Sequence, residues 1–254
     1  MNIEERVQKF FSLYGVQASK IPERTEDGFK SPDFEIQDDV SILVEVKEKF
    51  DDKALIVSRD KALDNDGLYE HTEALQPQRR YKSIFKHAAE QLTSQKERVN
   101  GQFCFIFMVM SSVVSQKSQR EQAFSTLYGS TFLLPVKNKE PMKKVLYYTH
   151  SEFFNLRDIL DGVFIVENGN IELLINDQSP RYQKVIESKF VGRFSNLVFD
   201  PMVKVASNTV YYCDAEIPRN DELAIKTYLL EKYGFGKRDA CFMDMPNFIT
   251  HANL

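Results

Sequence analysis

The chain has 254 residues, 43% of them hydrophobic and 28% charged, with a formal net charge of −4. This is globular composition with room for one large or two modest domains, and it excludes wholesale disorder. The acidic balance weighs against a nucleic-acid binder without deciding the matter, because binding depends on where the positive charge lies.

Ile3, Val7, Phe10, Phe11 and Tyr14 recur at helical spacing, and Gly15 supplies a stop. Residues 16–22 read as a short extended segment and 23–30 as a polar turn. Residues 32–37 and 40–48 read as two strands joined at Asp38-Asp39. Residues 50–77 are charged and read as an irregular insertion. From 78 to 98, Tyr81, Ile84, Phe85, Ala88, Ala89 and Leu92 mark a long amphipathic helix, and the apolar run 103–110 follows as a central strand. Composition turns to Ser, Gln and Lys over 113–144, expected to be a linker or insertion. Beyond it lies an α+β region, 145–254. It holds a strand at 145–149 and a helix at 152–160, then a hairpin of 163–167 and 171–175 around Asn168-Gly169. A helix at 181–188, a strand at 209–214 and a helix at 221–233 complete it. The fold class expected is α/β, with a core in residues 1–112.

No run approaches the roughly 18–20 apolar residues of a membrane helix, and the acidic N-terminus lacks the pattern of a signal peptide. Cys104, Cys213 and Cys241 are odd in number and far apart, which argues against a disulfide framework and against structural zinc. A cytoplasmic protein with reduced thiols and no membrane partner is the expectation. Phosphate-loop, nucleophile-elbow and zinc-helix motifs are missing from the sequence.

The chemistry concentrates in Pro32-Asp33 and Glu45-Val46-Lys47. On the second strand Val40, Ile42, Val44 and Val46 point one way, whereas Leu43, Glu45 and Lys47 point the other. A three- or five-residue connection sets Asp33 opposite Glu45; a strict two-residue turn sets it opposite Val44 and breaks the cluster. The odd connection is the expectation. Two carboxylates about 4 Å apart repel by roughly 4 kcal/mol at an effective dielectric near 20, so the pair needs a cation or a proton between them. Hard oxygen ligands suit Mg²⁺, with Mn²⁺ as a substitute. Asp33, Glu45 and Val46, the residue between Glu45 and Lys47, form the expected metal set, with Lys47 orienting water or stabilising phosphate charge. Arg79, Arg80, Lys82 and Lys86 on the long helix are candidate phosphate contacts or an ordinary solvated face.

Pro32-Asp33 followed twelve residues later by Glu45-Val46-Lys47 resembles the PD-(D/E)xK nuclease superfamily, which includes many restriction endonucleases, junction resolvases and recombination exonucleases. The likeness covers residues 1–110 and includes the order of elements, αβββαβ. The [DE]xK pattern alone is cheap, since Asp51-Asp52-Lys53 and Glu187-Ser188-Lys189 match it too. Only Glu45 lies on an alternating strand after the single Pro-Asp. The resemblance implies a restriction-endonuclease-like core with a mixed central sheet flanked by helices, and Mg²⁺-dependent hydrolysis of DNA. It also implies an acidic residue from the first helix, here Glu4, and a polar residue from the helix after the third strand, here Gln91. A homodimer is plausible on family analogy alone. A non-catalytic binding or assembly module that keeps the fold, and an RNA-directed nuclease, stay open as alternatives.

Overall fold

The computed structural model describes residues 2–22, 31–64, 67–99, 103–137 and 140–252; the polar turn expected at 23–30 lies outside them. In chain order the first elements are α1 (Ile3–Leu13), β1 (Ala18–Lys20), β2 (Phe34–Gln37), β3 (Ser41–Lys49), α2 (Lys53–Asp64), β4 (Tyr69–Ala74), α3 (Arg79–Val99) and β5 (Phe103–Met110). Next come α4 (Gln116–Tyr128), β6 (Thr131–Pro135), β7 (Lys143–Leu146), α5 (Glu152–Asn155), β8 (Gly162–Glu167), β9 (Asn170–Ile175), α6 (Tyr182–Glu187) and α7 (Lys189–Arg193). The chain closes with β10 (Val198–Phe199), α8 (Pro201–Ala206), β11 (Val210–Tyr212), α9 (Glu222–Lys232), β12 (Ala240–Met243) and β13 (Asn247–Ala252). Among the described residues no helix is long and apolar enough to cross a membrane.

Contacts divide the chain into two compact units, each drawn from three stretches. The first is Met1–Lys49, Ser83–Met110 and Asn155–Asp200; the second is Phe50–Lys82, Ser111–Phe154 and Pro201–Leu254. This differs from the expected chain-order division at 112 and 144. The sequence carries local periodicity, whereas unit membership is set by pairings between strands far apart in the chain.

The first unit is α/β, built on a mixed seven-stranded sheet in the order β1-β2-β3-β5-β8-β9-β10. β2 runs antiparallel to both β1 and β3, while β3, β5 and β8 run parallel to one another, β9 turns back on β8, and β10 runs parallel to β9. The hairpin expected at Asn168-Gly169 is present, with φ of 48° and 79° at the two turn residues, the positive values a tight two-residue turn demands. β5 is buried along its whole length, which explains why it reads as an unbroken apolar run. One sheet face presents Phe34, Ile36, Ile42, Val44, Phe105, Phe107 and Phe164 to a core shared with Val7, Phe10 and Phe11 of α1 and with Phe190 and Phe194. Each such side chain contributes on the order of 1.5–3 kcal/mol by leaving water. Val40 and Val46 pack against the same core, so the alternation of β3 falls as its sequence pattern predicts. α3 lies on the opposite face, where its Gln91 meets Lys47 and its Phe85, Ala88, Ala89 and Leu92 are buried.

The second unit contains a four-stranded sheet, β11-β7-β6-β12, and a two-stranded ribbon, β13-β4. Two expectations are corrected here. Residues 50–77 are not irregular: they form α2 and β4. α2 buries only Leu63, so its apolar residues keep no single stripe, and β4 pairs with β13 across more than 170 residues of chain, far outside any local window. Residues 113–144 are not a linker either, because α4 and β6 are ordered there. α4 buries Ser118, Gln119, Gln122, Ser125 and Thr126 alongside Ala123, Phe124 and Leu127. A helix enclosed on nearly all sides with partnered polar residues shows no amphipathic period. The expected helix 152–160 is shorter, ending at Asn155.

Candidate active site

The connection between β2 and β3 is the three-residue segment Asp38-Asp39-Val40, and it decides the register: Phe34 pairs with Val44 and Gln37 with Ser41. Continued by one residue, that register sets Asp33 opposite Glu45, as the odd connection requires. The turn is held from outside. Arg193 Nε and Nη2 donate to the two oxygens of Asp38 at 3.1 and 3.2 Å, and the Lys189 amide donates to Asp39 at 2.9 Å.

Because β2 begins only at Phe34, the amide of Val46 has no strand partner on that side; it donates to Asp33 Oδ2 at 2.7 Å. In a strand the N–H and C=O of one residue point to the same side, so the Val46 carbonyl faces the same open edge as the Asp33 carboxylate. Glu45 is 1% exposed. Its Oε1 accepts from Lys47 Nζ, while its buried Oε2 has no hydrogen-bond partner among the described residues. Lys47 Nζ also donates to Gln91 Oε1 at 2.7 Å, which fixes the ammonium between a strand and a helix.

Burial pushes the Glu45 carboxyl up to about 7, the negative charge of Asp33 adds to the shift, and Lys47 opposes it. Asp33 is likewise raised, chiefly by burial and further by Glu4, against the lowering effects of the Val46 amide and Lys47. Each carboxylate therefore feels the other, and the two can meet only through a shared proton or a cation.

Glu4 stands at the margin. Asn2 and Glu5 close a capping box at the start of α1, which commits Glu5 to the helix end; Glu4 pairs with Lys20 at 2.5 Å and adds to the field at Asp33. Among the described residues no group of three or more His, Cys, Asp or Glu side chains is gathered to hold a metal. The donors present are the Asp33 and Glu45 carboxylates and the Val46 carbonyl. They are hard oxygens with one buried carboxylate oxygen lacking a partner, a set that fits Mg²⁺ or Mn²⁺, ions that keep several waters rather than demand an all-protein cage.

The four basic candidates are not equivalent. Arg80 is tied to Gln122 at 2.8 Å and lies 3.6 Å from both Asp52 and Glu73. Lys82 pairs with Glu152 at 3.5 Å. Arg79 and Lys86 are exposed and make no ion pair among the described residues.

Two contributors escaped sequence reasoning. Arg193 steadies the register turn from 155 residues away, a link with no local signal. Asp161, fully buried, accepts from the Cys104 amide at 2.9 Å, from Ser179 at 2.6 Å and from Arg181 Nε at 2.9 Å, joining the starts of β5 and β8. Its partners lie 18 to 57 residues away in the chain, beyond any local pattern.

Comparison with protein-family models, with curated proteins and with solved structures found no match.

Proposed function

We propose that the protein is a metal-dependent phosphodiesterase of the PD-(D/E)xK type that hydrolyses DNA, with the first unit as its restriction-endonuclease-like core. The observation that carries this reading is the buried Glu45. One of its oxygens holds Lys47, the other has no partner, and it faces Asp33 across a register that a three-residue turn enforces. The succession α1, β1, β2, β3, α3, β5 within the first unit supports it as well.

A divalent ion bound by Asp33, Glu45 and the Val46 carbonyl would supply Lewis acidity toward the scissile phosphate. The chain's own residues do the rest. Asp33 and Glu45 are pre-positioned by the strand pair and would hold the ion from fixed backbone positions. Glu45 and Gln91 hold Lys47 Nζ where it can orient a water for attack on phosphorus and offset charge developing on the phosphate oxygens. The water oxygen forms the new P–O bond as one of its O–H bonds breaks, the ester bond to the leaving nucleoside oxygen breaks, and the released proton reaches that oxygen through solvent; the products are a phosphate monoester and an alcohol, with no covalent enzyme intermediate. The exposed Arg79 and Lys86 are the candidates left for phosphate contacts; Arg80 and Lys82 are occupied by acidic partners, which weakens their case. A second copy of the chain remains the partner suggested by analogy.

The test is cleavage of linear, supercoiled, single-stranded and branched DNA, and of RNA, with Mg²⁺, Mn²⁺ or EDTA. Wild type is compared with Asp33→Asn and Lys47→Ala after circular dichroism shows both variants folded. The expected result is metal-dependent DNA cleavage reduced at least about 100-fold in each variant, the scale of losing one preorganised electrostatic group. Preference for RNA would move the substrate class. No cleavage and no heat of metal binding would leave a binding module.

A further inference from the structure

Lys47 is not the only ammonium that the fold brings to Asp33. Lys20 is the last residue of β1, the edge strand of the first unit's sheet, and pairs with Phe34. One residue further on, the Ile21 amide donates to the Asp33 carbonyl oxygen at 2.9 Å, so the backbone at Lys20 is tied to the backbone that presents Asp33. Directly opposed residues share a sheet face, and Phe34 faces the core that α1 covers. Lys20 accordingly leaves the sheet on the α1 side, where its Nζ lies 2.5 Å from Glu4 Oε2. Lys47 leaves it on the α3 side, where it meets Gln91. The strand end that carries Asp33 thus has one ammonium on each face of the sheet.

The two differ in how they are held. Lys47 is 24% exposed and fixed between a strand and a helix. Lys20 is 51% exposed, and an exposed ion pair holds its partners weakly, so its long side chain can turn to an incoming anion without disturbing the core. Its partner Glu4 acts on Asp33, which puts the pair within electrostatic reach of the site. Charge then says what Lys20 is for. Asp33, Glu45 and Glu4, ionised, carry three negative charges, and Lys47 and Lys20 carry two positive ones. A divalent ion held by the carboxylates leaves this set with one positive charge, the match for the one negative charge of a phosphodiester. Without Lys20 the same set is neutral. In a chain of net charge −4, such local surplus is what draws a polyanion to the site.

We propose that Lys20 is a substrate-binding residue of the candidate active site, its ammonium contacting a DNA backbone phosphate on the α1 side of Asp33. This rests on the nuclease reading above, and its test reads binding rather than turnover.

Binding of a fluorescein-labelled DNA duplex to the full-length chain is followed by anisotropy over a range of salt, and a gel checks that the duplex stays intact. Ca²⁺, a hard cation of the same charge, stands in for Mg²⁺. Lys20→Gln should lower the slope of log affinity against log salt by about 0.9, the share of one phosphate contact. It should weaken binding about tenfold at roughly 50 mM salt and about fourfold at roughly 200 mM. Lys20→Arg, which keeps the charge, should restore both. Lys184→Gln removes an exposed lysine from α6 and should change neither, which separates a local contact from a change in net charge. All three variants should melt as the wild type does. The proposal is overturned if the wild type does not bind the duplex, if Lys20→Gln keeps the wild-type slope, or if Lys184→Gln loses as much. A flattened slope in Lys20→Gln without cleavage by the wild type in Mg²⁺ would uphold the contact and remove the catalytic reading. Cleavage with an unchanged slope would remove the contact alone.

Discussion

Glu45 condenses the energetics of the candidate site into one residue. Its carboxyl, raised from 4.5 to about 7 in the folded state, keeps a proton that the unfolded chain releases over that range. The stability linked to that proton is fully present below about pH 4.5 and is lost as pH rises through about 7. Asp33 is raised as well and acts with the same sign. Urea midpoints in EDTA should therefore fall between pH 5 and pH 8 for the wild type. Glu45→Gln, neutral at every pH, should flatten that dependence and be the more stable protein at pH 8. Adding Mg²⁺ at pH 8 should recover stability in the wild type and not in the variant, because only the wild type offers two carboxylates to the ion. A slope that persists in Glu45→Gln would place its origin elsewhere.

At the level of elements, turns and caps carry the specification. The connection Asp38-Asp39-Val40 sets which side chains of β3 share a face with Asp33, and a slip of one residue would turn Glu45 into the apolar core. Gly129, which ends α4 at φ 57°, is constrained twice: its conformation is left-handed, and a Cβ there would meet the Thr149 carbonyl oxygen at 2.0 Å. Gly169, in the β8–β9 turn at φ 79°, has nothing within 4 Å of that position. Gly169→Ala should cost only the backbone strain, about 1 kcal/mol. Gly129→Ala adds a clash between two backbone segments and should cost about 3 kcal/mol or more. Equilibrium denaturation of the two variants measures the difference, and equal losses would show that the loop following β7 yields to the added methyl.

Taken whole, the molecule is interleaved rather than serial. The first unit needs residues 155–200 to complete its sheet, since β5 pairs in parallel with β8 from Phe105–Gly162 to Val109–Val166. Phe164, Phe190 and Phe194 from that late stretch pack directly on Phe10, Phe11 and Phe107. A fragment of residues 1–112, the core expected from sequence, should accordingly not fold alone. It would expose the edge of β5 and one side of the aromatic core. Expression of that fragment should yield insoluble material or a species without a cooperative melt; a sharp thermal transition in it would show that β1, β2, β3 and β5 suffice.

Sequence by itself determined what is local. The stripe of α1, the alternation of β3 and the apolar run of β5 follow from side-chain periodicity over a few residues, and with them the chemistry of Asp33, Glu45 and Lys47 as a pair of carboxylates beside an ammonium. The Asn168-Gly169 hairpin was legible for the same reason, because two residues needing positive φ announce a tight turn. Tertiary structure alone decided what depends on distant partners. The register at Asp33 was open between two turn lengths until β2 and β3 paired, and Arg193 holds that choice from another part of the chain. α2, α4 and β4 left weak signals: α2 is largely exposed, α4 is enclosed with polar side chains that find partners only in the fold, and β4 finds its strand partner near residue 250. Glu45 could be called a carboxylate in sequence, but its burial, its unpartnered oxygen and its raised pKa exist only once α3 and Asp33 surround it, since desolvation is a property of neighbours and not of the residue.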